Sequence, residues 1–203
     1  MAPPRKHDTD VILDAARTLV LRDGPRAVGV TAIATASGAP VGTLYHRFGN
    51  RDGLLAALWL RAIERFHRMA MAAADAPDPI DAALGMATAT ITFTRTYPDD
   101  ARLLLHLRMS DLLDATPAAE LREQLEVRNA PVFGALRTIS TRLFGSAGPR
   151  ELDAVTRAVV DLPAAVLRRH AVDLPDWLDA DLTAAARALL LEARDRLGQN
   201  APE

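Results

Sequence analysis

Ser37-Gly38-Ala39-Pro40-Val41-Gly42-Thr43-Leu44-Tyr45-His46-Arg47-Phe48 is the stretch on which the reading of this 203-residue chain turns. Gly38-Ala39-Pro40 predicts a turn, because glycine tolerates the left-handed conformation and proline cannot continue a preceding helix. Residues 30–37 carry apolar spacing for two helical turns, and residues 41–48 supply two more before Gly49-Asn50. Ile33, Ala34, Leu44 and Phe48 then face a small common core. A short helix, a tight turn and a second short helix is a geometry that sets the second helix into the major groove of DNA while the first braces on the backbone.

Outward from this stretch the chain reads as all-α, with about nine helices. Val11, Ile12, Ala15, Ala16 and Leu19 make one stripe, capped by Asp8 or Thr9 and stopped by Asp23-Gly24-Pro25. Asn50 is the natural cap of a long segment from residue 51 to about residue 74. Pro77 and Pro79 precede an apolar segment over 80–97, Pro98-Asp99-Asp100 opens a helix through 113, and Pro117 opens another reaching 144. After the break at 145–149, Leu152, Val155, Val159, Leu162 and Val166 fall on one helical face, and Leu178, Leu182, Leu189 and Leu197 on another. One stretch resists: Thr88, Thr90, Thr92, Thr94 and Thr96 alternate with apolar residues, which is a strand pattern. A lone strand would leave its backbone unpaired, whereas threonine in a helix can bond the carbonyl one turn back, so helix is predicted here too.

Composition excludes several function classes. With no cysteine, disulfides, thiol catalysis and cysteine-ligated metal are ruled out. No window approaches the roughly eighteen apolar residues that a membrane span needs, so a cytoplasmic protein is expected. The net charge of -2 hides an asymmetry. Residues 1–60 hold seven basic groups (Arg5, Lys6, Arg17, Arg22, Arg26, Arg47, Arg51) and five acidic ones, a net +2, and the remainder hold 17 and 21, a net -4. That is the sign expected of a DNA-binding head on an acidic body.

Ile33-Ala34, the stretch quoted first, Asn50-Arg51-Asp52 and Leu54-Leu55 together closely resemble the tetracycline-repressor (TetR) family of bacterial regulators, over roughly residues 8–60. The resemblance implies a head over residues 1–50 and a larger helical ligand-binding and dimerisation domain over 51–203. It implies a homodimeric regulator, a repressor, that binds a near-palindromic double-stranded operator and is released by a small molecule. No enzymatic activity and no cofactor follow from it. Physically, small Gly42 lets the backbone approach the groove, Val41 and the Thr43 methyl suit thymine methyls, and the hydroxyls of Thr43 and Tyr45 suit phosphate oxygens. Tyr45 could instead pack on its own module. His46 suits phosphate or a base edge, and Arg47 solvent or phosphate. Arg51 stands where the family usually has a phosphate-gripping lysine, and Thr31 matches another position that touches DNA. Arg5 and Lys6 read as a basic arm or as a solubilising tail. Two residues depart from the pattern, Gly29 for threonine and Pro40 for serine, and the latter removes a capping hydroxyl.

The implied effector pocket draws on Trp59, Phe66, Met69, Phe93, Tyr97, His106, Met109, Phe133 and Trp177, all of which would serve equally as core. With the threonine-rich helix in its wall, the pocket would suit a largely hydrophobic ligand with a few polar groups. Leu152, Val155, Val159, Leu162, Val166, Leu178, Leu182 and Leu189 are expected at a two-fold, four-helix dimer interface. Two other readings compete. A helical adaptor of the same fold would lack DNA binding. A metalloenzyme would use Glu64 and His67, but a di-iron bundle needs a second Glu-x-x-His pair and the sequence has none, so no metal site is expected.

Overall fold

The computed structural model describes residues 8–113, 119–170 and 173–198, and among them every regular element is helical. The chain divides into two compact units, one of residues 1–63 with 99–124, the other of 64–98 with 125–203.

In the first unit, α1 (Thr9–Asp23) begins on Asp8, whose carboxylate accepts from the Asp10 N–H at 3.0 Å. A single 3-10 turn, Pro25–Ala27, leads to α2 (Val30–Ser37). Gly38 then takes the predicted left-handed conformation, φ 69°, and α3 (Val41–Phe48) follows. Asn50 caps α4 (Arg51–Ala74), accepting from the Gly53 N–H at 2.8 Å. Ile12, Ala16, Ile33, Ala34, Leu44, Leu54 and Leu58 form the buried set that fixes these helices. The helix expected from 98 through 113 is interrupted. α6 (Pro98–His106) stops, Arg108 is extended, and α7 (Met109–Leu112) is a separate turn opened by Asp111, whose carboxylate accepts from the Arg108 N–H at 2.7 Å. A side chain that reaches back to an amide three residues earlier starts a new helix instead of prolonging the old one.

The second unit is built around α5 (Pro79–Thr96), which packs against α10 (Leu162–His170) and α11 (Leu178–Gly198). Asp78 caps α5 through the Ile80 and Asp81 N–H groups. The alternating threonines are helical, and their hydroxyls donate one turn back: Thr88 to Leu84, Thr94 to Thr90 and Thr96 to Thr92, at 2.8–3.0 Å. α8 (Ala119–Phe144) carries Pro131 inside it, and α9 (Pro149–Thr156) runs through a π turn, Arg157–Asp161, directly into α10. Pro163 accounts for the π turn, because proline has no N–H and collides with the carbonyl four residues back, and a widened turn relieves both. The extra residue moves the buried face: Val155 and Val159 are buried, but beyond the turn the buried positions are Pro163 and Leu167, one residue later than Leu162 and Val166.

Candidate nucleic-acid interface

α3 presents two faces with opposite environments. Leu44 is 1% exposed and anchors the helix, whereas Val41, Gly42, Tyr45 and His46 form an outward surface. Positions 41, 42, 45 and 46 share one helical face by spacing, and Thr31 on α2 is exposed as well. Val41 at 37% and Tyr45 at 52% are among the few large apolar side chains that the first unit leaves in solvent. Thr43 is half-buried.

Gly42 is informative by contrast with two other helical glycines. A Cβ at Gly85 would lie 2.8 Å from the Ala73 Cβ, and one at Gly53 would press into the Phe48 carbonyl, so the fold requires glycine at both. A Cβ at Gly42 would meet nothing within 4 Å. Glycine inside a helix costs about 1 kcal/mol relative to alanine, and this chain gains no packing in return at position 42. As Pro40 implied, α3 has no side-chain cap.

The basic residues are placed differently from expectation. Arg51 does not reach outward. Its Nε donates to the Val28 carbonyl at 2.8 Å, its Nη1 to Asp52 Oδ1 at 3.0 Å and to the Leu112 carbonyl at 3.2 Å, and its Nη2 to the Pro25 carbonyl. Its side chain is only 16% exposed. The guanidinium expected to grip phosphate is drawn inward in the protein alone by backbone carbonyls that a lysine ammonium could not span together. Arg47 ties α3 to α1 by donating to the Thr9 hydroxyl at 3.2 Å. Arg5 and Lys6 lie outside the described residues.

Sequence reasoning missed an ion cluster in the same unit. Arg17 donates to Asp100 Oδ1 at 2.6 Å, and the Asp100 side chain is fully buried. Arg61 bridges Asp10 and Asp14 at 2.8 and 2.7 Å. Arg17 and Asp100 are 83 residues apart, so nothing local signals the pair.

The expected effector residues separate. Phe66, Phe93 and Tyr97 come together in the second unit, with ring centroids 5.5 and 5.7 Å apart, and Arg65 lies over the Tyr97 ring at 5.2 Å. Phe93 is buried, and Met69 packs against the core of this unit. Phe133 and Trp177 lie at the surface, Trp177 edge-on to His170, and neither joins that group. Trp59, His106 and Met109 belong to the first unit, where Trp59 and Met109 are buried and His106 is exposed. For the dimer set, Val155, Val159, Leu178 and Leu182 are covered by the chain's own packing and offer no surface to a second copy. Part of the apolar stripes expected at a dimer interface packs internally against α5. Leu152, Leu162 and Val166 are half-buried, and Leu189 is 41% exposed.

Glu64 and His67 are a structural pair. Glu64 Oε1 accepts from Arg128 Nε at 2.7 Å. His67 is half-buried in a groove with Met71, Arg128 and Pro131, and burial lowers its pKa against the opposing effects of an Arg128 backbone hydrogen bond and the Glu64 charge.

Comparison with known proteins agrees with this geometry. Residues 12–58 match the profile of the bacterial regulatory proteins, tetR family. An uncharacterised HTH-type transcriptional regulator of Mycobacterium tuberculosis is 36% identical over 90 residues, which is 44% of this chain and 45% of that protein. The HTH-type transcriptional repressor ComR of Escherichia coli is 38% identical over 63 residues, 31% of this chain and 30% of that one. The chain thus spans less than half the length of the curated relatives it matches. In overall fold it is similar to the transcriptional regulator FadR from Bacillus subtilis, solved in complex with stearoyl-CoA, at TM-score 0.65 and 17% identity over 92% of this chain and 97% of that one. Residues 12–58, which hold α2 and α3 as a helix-turn-helix, are thus similar to the tetR family of bacterial regulatory proteins, and the described residues around them share the all-helical fold.

Proposed function

We propose that the chain is a cytoplasmic DNA-binding transcriptional repressor that holds a near-palindromic operator as a homodimer and releases it when a small molecule binds the helical domain that follows the head. The observation that carries this reading is the outer face of α3. Val41 and Tyr45 stand exposed beside a glycine that nothing inside the chain requires. Docked in a major groove, Gly42 admits the DNA backbone closely, Val41 and Thr43 contact base edges, and Tyr45 and His46 contact phosphate. With Arg51 turned inward, phosphate contact falls to these groups, to Thr31 and to the Arg5-Lys6 arm.

For the effector, the Phe66–Phe93–Tyr97 group offers an apolar wall. The threonines of α5 already donate their hydroxyl protons to the helix, so toward a ligand they act as acceptors only. A hydrophobic molecule with a few donor groups fits, and the stearoyl-CoA seen in FadR has a long apolar body of that kind. For the dimer, the outward side of α9 and α11 carries Leu189 beside Arg150, Asp153, Arg157, Glu192 and Arg196, a mixture of charges able to complement itself across a two-fold axis.

Selection of bound sequences from a random duplex pool tests the reading. Two inverted half-sites about 34 Å apart, or a simple multiple of that spacing, are expected of a two-fold dimer. Tyr45→Ala should weaken binding to every sequence, and Val41→Ala or Thr43→Ala should change which sequences are enriched. A pool that emerges unenriched from the intact protein would instead support an adaptor of this fold.

A further inference from the structure

The two most exposed large apolar side chains among the described residues, Val127 at 66% and Phe133 at 61%, both stand on α8. The inner side of this helix is accounted for, since Leu136 and Ile139 are buried in the core of the second unit and Val132 and Ala135 pack against that core. The outer side is not. Glu126, Val127, Ala130, Phe133, Gly134 and Arg137 are all exposed, and their spacing sets them within about a third of the helix circumference. Nothing inside the chain requires glycine at 134, where a Cβ would meet nothing within 4 Å. Neither Glu126 nor Arg137 is ion-paired among the described residues. Roughly 16 Å of helix separates them, too far for a pair within one chain. An exposed apolar face flanked by opposite charges marks a surface for association.

We infer that this face of α8 binds the same face of a second copy of the chain, the two helices running antiparallel about a two-fold axis. The surface is separate from the outer side of α9 and α11. An axis crossing α8 between residues 131 and 132 sets the register. Glu126 then lies opposite Arg137 of the second copy, and Arg137 opposite its Glu126, because both stand on the same edge of the face. Ala130 and Phe133 are matched in the same way, so each ring covers a small side chain instead of meeting another ring. Gly134 lets the two backbones close up, since the distance between packed helices is set by the side chains at the contact. A parallel arrangement would bring like charges to the same level, and the antiparallel one brings opposite charges together. A face that carries both halves of each pair at symmetric places is complementary to itself, which is why a second copy is the occupant. With α9 and α11 pairing as well, the closed assembly holds four copies.

Sedimentation velocity of the full chain across the micromolar range tests this. Arg137→Glu sets carboxylates against each other at two places, so it should weaken self-association by about tenfold or more and halve the mass of the wild-type assembly. Glu126→Arg combined with Arg137→Glu should restore the wild-type mass, which a chain damaged in its folding would not do. Gly134→Leu should also halve the mass, since the added side chain has room in one chain and none between two. Circular dichroism should give the same helix content for every variant. Four copies should fall to two where α9 and α11 also pair, and two to one where they do not, so the α8 surface is decided whichever way that other reading turns out. Equal masses for the wild type and Arg137→Glu would overturn the inference and leave the face to a partner of another kind. A double variant that stays at the halved mass with full helix content would overturn the antiparallel register. If Arg137→Glu loses helix content, Gly134→Leu decides in its place.

Discussion

Positions 42 and 53 carry the same residue for opposite reasons. At 53 the fold itself excludes a side chain, because a Cβ would collide with the Phe48 carbonyl, a backbone atom that cannot move aside. At 42 the space is open. Gly53→Ala should therefore lower the melting temperature of the protein, at a cost of several kcal/mol typical of severe strain. Gly42→Ala should raise stability by up to about 1 kcal/mol while weakening duplex binding. A thermal melt and a binding titration of the two variants separate the roles, and a Gly42→Ala protein with undiminished affinity would remove Gly42 from the interface. Residue types at α3 were legible from sequence because each constrains its own backbone or face. The role of Arg51 was not, since its partners are carbonyls of Pro25, Val28 and Leu112, and a carbonyl leaves no mark in residue type.

Among the elements, α5 shows how a local pattern misleads and how physics corrects it. Its alternating threonines match a strand, but a helix satisfies both backbone and hydroxyls, and the hydroxyls bond the preceding turn. The stripe through 152–166 misled in the other direction. Apolar spacing described α9 correctly, and the π turn then moved the buried face onto Pro163 and Leu167, a shift visible only once the proline's effect on the preceding turn is counted. Between α4 and α8, Glu64 pairs with Arg128, and burial lowers the pKa of His67. Because the folded protein binds the His67 proton more weakly than the unfolded chain, stability contributed by this site is present above the unfolded value near 6.5 and is lost as pH falls through the depressed folded value. The melting temperature should fall between about pH 7.5 and about pH 5.5, and His67→Gln should reduce that fall. An equal acid loss in the variant would assign the effect to other groups.

For the molecule as a whole, the +2 of residues 1–60 overstates what the head shows to a polyanion. Arg17 and Arg51 are held inside the protein, and Arg22 pairs with its neighbour Asp23. Sequence reading found the asymmetry because charges can be counted, but pairing depends on contacts between distant residues. A weak cationic field makes contact by α3 the more important, and α3 is eight residues long, has one fully buried side chain and lacks a capping hydroxyl at Pro40. Helices this short are marginal without tertiary support, so docking in the groove should complete the ordering of α3. Ordering that accompanies binding leaves a calorimetric trace, a negative heat capacity change beyond that of the contact surface. Operator binding by this protein should thus grow more exothermic on warming, and Pro40→Ser, by supplying the cap, should flatten that temperature dependence.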